Sequence, residues 1–189
     1  MQIDYKNLYY PPGGILLWII IFIELITFGI ALIAMVYVSK QEPALFHESR
    51  LQLNTTFGTI NTVFLLTSGF FMANSVHELK LNNLLKAKKY LMTTMLFGIF
   101  FLILKSIEYY LKIDAGLGMD ANVFFTFYWM LTLFHLSHVI VGLIILAIIL
   151  FGMRKENNTS VEDVEASAAF WHMCDLIWLL VFPVIYLIF

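Results

Sequence analysis

The sequence predicts an all-α polytopic membrane protein, a bundle of five transmembrane helices with a cytoplasmic N-terminus and a periplasmic C-terminus. Three observations predict it. Hydrophobic residues make up 61% of the 189 residues and charged residues 13%, against about 25% charged in a soluble domain, and mean hydropathy is +0.86. Apolar runs long enough for a bilayer core of about 30 Å recur five times along the chain. Within those runs polar side chains gather on single helical faces, as they must when only protein can satisfy them.

The same bulk properties exclude other classes. The length suits one membrane domain, residues 1–189, with no room for a soluble one. A formal charge of −2 carries no information about partners, and the lack of any basic tail or arginine-rich run argues against a nucleic-acid partner. The single cysteine, Cys174, has no partner for an internal disulfide. The first apolar run is too long for a cleavable signal peptide and has no small-residue cleavage site after a short core.

In chain order, residues 1–14 read as an amphiphilic lead-in. Tyr5, Tyr9 and Tyr10 suit the headgroup layer, and Pro11-Pro12-Gly13-Gly14 signals helix entry. The first span, 15–38, carries one charge, Glu24, near mid-membrane. Its Thr27, Gly29 and Ala31 are small enough to admit a neighbour. Residues 39–50 read as a polar loop. The second span, 53–76, is the least oily and places Thr55, Thr59, Thr62 and Gly69 on one inward face. A basic loop, 77–89, follows. The third span, 90–111, puts Thr94, Gly98, Lys105 and Glu108 along one side, where Glu108 can pair with Lys105 or with Lys112. That reading favours an interfacial ion pair for Glu108, with a proton-related intramembrane acid, like Glu24, as the alternative. The fourth span, 123–151, is the most hydrophobic, and its Tyr128, Thr132, His135, His138 and Gly142 share a stripe. The fifth, 166–189, is opened early by a capping box between Ser160 and Asp163. It holds His172 and Asp175 one turn apart, then Trp178 and a kinking Pro183.

Orientation follows from Lys plus Arg. One side carries Lys6, Lys80, Lys86, Lys88, Lys89, Arg154 and Lys155; the other carries Lys40, Arg50, Lys105 and Lys112. The positive-inside rule puts the first set in the cytoplasm.

Glu24 is the sharpest functional signal, because an ionised carboxylate at mid-bilayer costs several kcal/mol. It reads either as a proton-handling carboxyl or as a protonated acid bonded to a neighbouring helix, such as a threonine of the second span. His135, His138, His172, Asp175 and Trp178 read as a polar helix-packing cluster, with Trp171 at the cytoplasmic boundary. A His138–His172 haem ligation is the competing use of the histidines. Neither a nucleotide loop nor a zinc-protease motif occurs.

Four stretches together resemble the cytochrome c oxidase subunit 3 family in its short, five-helix form. They are PPGGILLWIIIFIELITFGIALIAMVY with Pro12, Gly13, Trp18, Phe22, Glu24 and Phe28; KAKKYLMTTMLFGIFFLILKSIEYY with Glu108 and Tyr109; FYWMLTLFHLSHVIVGLIIL with His135, His138 and Gly142; and WHMCDLIWLLVFPVIY with His172, Asp175 and Trp178. The resemblance implies a non-catalytic accessory subunit of a haem-copper respiratory complex, with no catalytic residues and no metal or haem of its own. Haem and copper or iron belong to the partner catalytic subunit I. It implies that the chain stabilises that partner, supports proton uptake during reduction of oxygen or nitric oxide, and binds phospholipid. It makes Glu24 the family's carbodiimide-reactive carboxyl. Among short members, the chain is most similar to the accessory subunit encoded with nitric oxide reductases of denitrifiers, which implies a bacterial inner membrane. The two helices that begin the long form are missing, so lipid binding in the cleft they wall is not implied. Two other classes remain open: an independent proton-coupled transporter using Glu24, and a haem-bearing membrane anchor.

Overall fold

A computed structural model describes residues 11, 13–154 and 160–189. The expected lead-in with Tyr5, Tyr9 and Tyr10, together with Lys6, Pro12, Lys155 and the side chain of Arg154, lies outside the described residues. The helices are α1 (Gly14–Ser39), α2 (Pro43–Leu51), α3 (Thr55–Lys80), α4 (Leu84–Asp114), α5 (Val123–Arg154) and α6 (Val161–Pro183). Pro183 does not end the last helix, which continues as a π-helical turn over Val184–Ile188. Among the described residues, all the helices except α2, five in number, are long and apolar enough to cross a membrane, so the chain is an all-α, multi-pass membrane protein.

The polar stretch 39–50 is not simply a loop, since most of it forms α2. Pro43 stands in the first turn, where a missing N–H breaks no helical hydrogen bond. The basic stretch 77–89 is not a loop either. It shrinks to a turn around Asn82, whose φ of 60° lies in the left-handed region that asparagine tolerates. Lysine has a good helix propensity, and its long stem reaches water from a helix end, so charge there does not break the helix. At the other end of α4, Gly116 takes φ 73° and the Leu117 amide donates 2.9 Å back to the Lys112 carbonyl, closing the helix. The Ser160–Asp163 capping box opens α6, and Asp163 Oδ2 accepts from the Ser160 amide at 3.0 Å.

Helix α6 is the centre of the bundle and packs against α1, α3 and α5, while α4 is held between α3 and α5. Helix α1 leans on α5 and α6 at one edge. Trp171 fixes this arrangement. It is fully buried in the core rather than at the cytoplasmic boundary. Its indole lies against Gly98 of α4 and Gly142 of α5, where an added Cβ would meet the ring at 2.8 Å, and its Nε1 donates 3.0 Å to Ser68 of α3. The two glycines thus give one aromatic ring room among three helices.

The inward face of α3 is Gly58, Asn61, Leu65, Ser68, Gly69, Met72 and Ser75, so Gly69 of the expected row is buried, while the face is rotated away from Thr55 and Thr59. Thr59 is exposed and donates to its own helix at the Thr55 carbonyl, 2.9 Å. Threonine can return its hydrogen bond to the preceding turn, whereas the buried serines cross to α4: Ser68 to the Thr94 carbonyl at 2.8 Å and Ser75 to the Ala87 carbonyl at 2.9 Å. Of the small residues of α1, Gly29 has open space around it, whereas Ala31 packs against the core.

Candidate functional site

Glu24 and His138 meet between α1 and α5. His138 Nε2 stands 3.3 Å from Glu24 Oε2, and the carboxylate side chain is 21% exposed. This is an ion-pair distance whose angle does not make a hydrogen bond. The partner of Glu24 is therefore a histidine of α5, not a threonine of the second span. Phe28 and Phe134 stack at 5.2 Å beside the pair, and Phe134 presents its ring to the edge of His138 at 4.7 Å.

The chemistry of the pair follows from the other ring nitrogen. His138 Nδ1 lies 2.8 Å from the Phe134 carbonyl, and a carbonyl only accepts, so Nδ1 carries a hydrogen. In the neutral ring Nε2 then presents a lone pair to Glu24. A bare lone pair facing an ionised carboxylate is repulsive, so the contact holds a proton, on the imidazole or on the acid.

His135 lies one turn away and is fully buried. It stacks on Trp178 at 5.3 Å and meets Phe101 edge-on at 5.7 Å. Neither ring nitrogen has a hydrogen-bond partner among the described residues. Trp178 Nε1 in turn donates 2.9 Å to Thr62.

Glu108 forms the expected ion pair with Lys105, enclosed within the bundle rather than open at a surface. Its side chain and that of Lys105 are each 1% exposed and pair at 3.0 Å. Glu108 Oε1 also accepts from Tyr128 at 2.9 Å and from Tyr186 at 2.5 Å. The Lys105 ammonium donates 2.7 Å to the Tyr186 hydroxyl and lies 5.0–5.3 Å from the ring centres of Tyr109, Tyr128, Trp178 and Tyr186. Lys112, the second expected partner, turns away to the Gln52 carbonyl. The nearby end of the bundle is tied in the same manner. Arg50 Nε donates 3.0 Å to the Tyr186 carbonyl, Asn122 donates 2.9 Å to Ser49, and Phe46 of α2 meets Phe189 edge-on at 5.2 Å.

His172 and Asp175 do meet, with Nδ1 3.4 Å from Oδ2. His138 and His172 are thus engaged by different acids. Among the described residues no group of three or more His, Cys, Asp and Glu side chains could hold a metal ion. Sequence reasoning missed Tyr186 and the 2.5 Å Lys80–Glu165 ion pair. It also missed the central place of Trp171.

The family model for cytochrome c oxidase subunit III matches residues 15–188. The chain belongs to the subunit III family. Among relatives, it is 29% identical over 180 residues to the "Heme-copper oxidase subunit I+III" of Aeropyrum pernix, covering 91% of this chain and 22% of that one. It is 29% identical over 149 residues to the cytochrome c oxidase subunit 3 of a Synechocystis species, covering 77% and 63%. It is 27% identical over 173 residues to the cytochrome bo(3) ubiquinol oxidase subunit 3 of Buchnera aphidicola, covering 90% and 84%. The chain therefore spans less than two thirds of the first two of these relatives. The subunit III match takes in all five membrane spans, so Glu24, Glu108, His135, His138, His172, Asp175 and Trp178 all fall inside it.

Proposed function

We propose that this chain is the non-catalytic subunit III of a haem-copper respiratory complex, a single membrane domain seated beside a catalytic subunit I in a bacterial cytoplasmic membrane. The observation that carries the reading is the Aeropyrum relative, whose name joins subunits I and III in one polypeptide and whose match takes up nearly all of this chain. The bundle supplies a rigid wall, and the catalytic partner supplies haem and metal. The Glu24–His138 pair holds an exchangeable proton at the membrane interior and sustains proton uptake by the partner. His135, packed against Phe101 and Trp178, holds helices together.

The N-terminus is cytoplasmic in this reading. Support comes from the fate of the opposing charges. Of Lys40, Arg50, Lys105 and Lys112, three are turned into the protein: Arg50 to the Tyr186 carbonyl, Lys105 to Glu108 and Lys112 to the Gln52 carbonyl. The basic excess near Lys80, Lys86, Lys88 and Lys89 is correspondingly stronger. Whether the complex reduces oxygen or, as in the resemblance to denitrifier subunits, nitric oxide is read from the partner. The relatives compared carry the names of oxidase subunits, which favours oxygen.

Solubilising native membranes in mild detergent and recovering this chain is expected to bring down a haem-copper catalytic polypeptide with its haem spectrum. In that complex, Glu24→Gln is expected to slow proton uptake without lowering the yield of partner. A clean chain with no such partner would overturn the reading, and a haem spectrum from the chain alone would revive the anchor reading.

A further inference from the structure

The pair His172–Asp175 differs from the other polar contacts of the bundle in where it points. Glu108 is enclosed and Glu24 is met by His138, but the His172 side chain is 45% exposed on the outer surface of α6. Asp175 behind it is 8% exposed, and neither of its oxygens has a hydrogen-bond partner among the described residues. Depth makes this costly. The Lys80–Glu165 ion pair, with Lys80 55% exposed, is charged and open, so it belongs at the watery end of the spans on this side of the bundle. His172 lies seven residues further along α6, which at 1.5 Å per residue is about 10 Å deeper. At that depth no water is available to satisfy an outward imidazole or a carboxylate behind it.

We propose that this face of α6 receives a transmembrane helix of the catalytic subunit, which donates a side-chain hydrogen bond to His172. This rests on the subunit III reading above and adds the surface that does the docking. Asp175 faces Nδ1 and favours the hydrogen there, which leaves Nε2 as an acceptor on the exposed side of the ring. The complementary group is a donor: a hydroxyl, amide, indole or basic side chain. Gly69 of α3 keeps the position close, since a Cβ there would run into Asp175 Oδ2 and stand 3.4 Å from His172 Nδ1.

Other occupants fit less well. Lipid tails carry no donor, and headgroups belong at the level of Lys80. A second copy meeting this face about a two-fold axis brings no donor to the site, because the exposed side chains Phe70, Ala73, Leu176 and Leu180 beside it are apolar. Those same side chains give an incoming helix an apolar surface around one polar point, the usual arrangement for helix association in membranes.

The test uses the complex in native membranes. A photo-crosslinking phenylalanine analogue replaces Leu176 in one variant and Ile103, exposed on the far side of α4, in another. The expected result is an adduct from position 176 whose sequenced peptide is a membrane-spanning helix of the catalytic subunit bearing a donor side chain, with lipid adducts from position 103. His172→Leu is expected to lower the partner recovered per chain by about three- to tenfold, the worth of a membrane hydrogen bond, and His172→Gln, which keeps an acceptor, to retain most of it. Lipid or copy-to-copy adducts from position 176, attachment to the catalytic subunit from position 103, or normal recovery with His172→Leu would each overturn the docking site. In those cases the complex is still recovered and the subunit III reading stands. Failure to recover any haem-copper partner with the wild-type chain defeats both.

Discussion

Glu108 and Glu24 are carboxylic acids of neighbouring origin in composition and opposite treatment in the fold. Glu108, about 9 Å from the end of α4, accepts from Lys105, Tyr128 and Tyr186 and is walled by aromatic rings. Glu24, about 15 Å into α1, is met by one edge of His138 and remains a fifth exposed. The difference teaches how to sort buried acids. A carboxylate held by donors from three separate segments cannot change partners without disturbing all three. It acts as an anchor. A carboxylate met by a single histidine, with part of its surface open, is held by one contact and can change partners without disturbing the rest of the bundle, which is why the proton role proposed above falls to Glu24.

The largest test of this contrast is Lys105→Met. It leaves Glu108 buried without its cation, a change that typically costs about 3–5 kcal/mol. The melting temperature of the detergent-solubilised chain, followed by circular dichroism, is expected to fall sharply. The double variant Lys105→Met, Glu108→Leu is expected to recover much of that loss, because an apolar pair removes the unpaired charge. Equal and small effects from Lys105→Met and from Glu24→Gln would erase the distinction between the two acids.

Much of this was legible in the sequence, and the limit has a physical cause. The five spans follow from hydrophobic run length alone, and the Ser160–Asp163 capping box from an i,i+3 spacing. Local periodicity also gathered Tyr128, Thr132 and His135 onto one face, and all three are buried. What periodicity does not carry is which helix stands opposite. Glu24 and His138 each drew attention singly, yet their meeting depends on how α1 and α5 are rotated and ordered. Tyr186 reaches Glu108 across 78 residues, and no local pattern marks a tyrosine after Pro183 as its partner. Lys112 illustrates the converse. The i,i+4 rule offers it to Glu108, but the Gln52 carbonyl, brought in by the turn after α2, takes it instead. The structureless readings of 39–50 and 77–89 failed because polarity was taken for irregularity. Short polar helices at a membrane surface need no apolar stripe as long as water covers their outer side.

A second test measures access rather than stability. A hydrophobic carbodiimide enters from the lipid and reacts with a carboxyl that can take up a proton. In native membranes it is expected to modify Glu24 in most molecules and Glu108 in few, as read by mass spectrometry of the two peptides. His138→Leu leaves Glu24 without its partner and is expected to keep or raise the labelling. Comparable labelling of Glu108 would mean that its enclosure opens on the time scale of the reaction, and the anchor would have to be described as a mobile site.

The smallest expected effect is the coupling between Glu24 and His138 themselves. Polar pairs inside membrane proteins measure about 0.6 kcal/mol on average by double-mutant cycles, and at most about 1.7. The 3.3 Å contact lacks hydrogen-bond alignment, which places it at the low end. Melting of wild type, Glu24→Gln, His138→Leu and the double variant should therefore close to within about 0.6 kcal/mol. The same four chains, assembled with their partner, should separate clearly in proton uptake, with the double variant no slower than the slower single one, because both substitutions remove the same shared proton. A coupling of several kcal/mol would make the pair a structural lock like Lys105–Glu108. Additive losses in proton uptake would show instead that each side chain handles its own proton, and the shared-proton description of the pair would fail even though the contact itself remained.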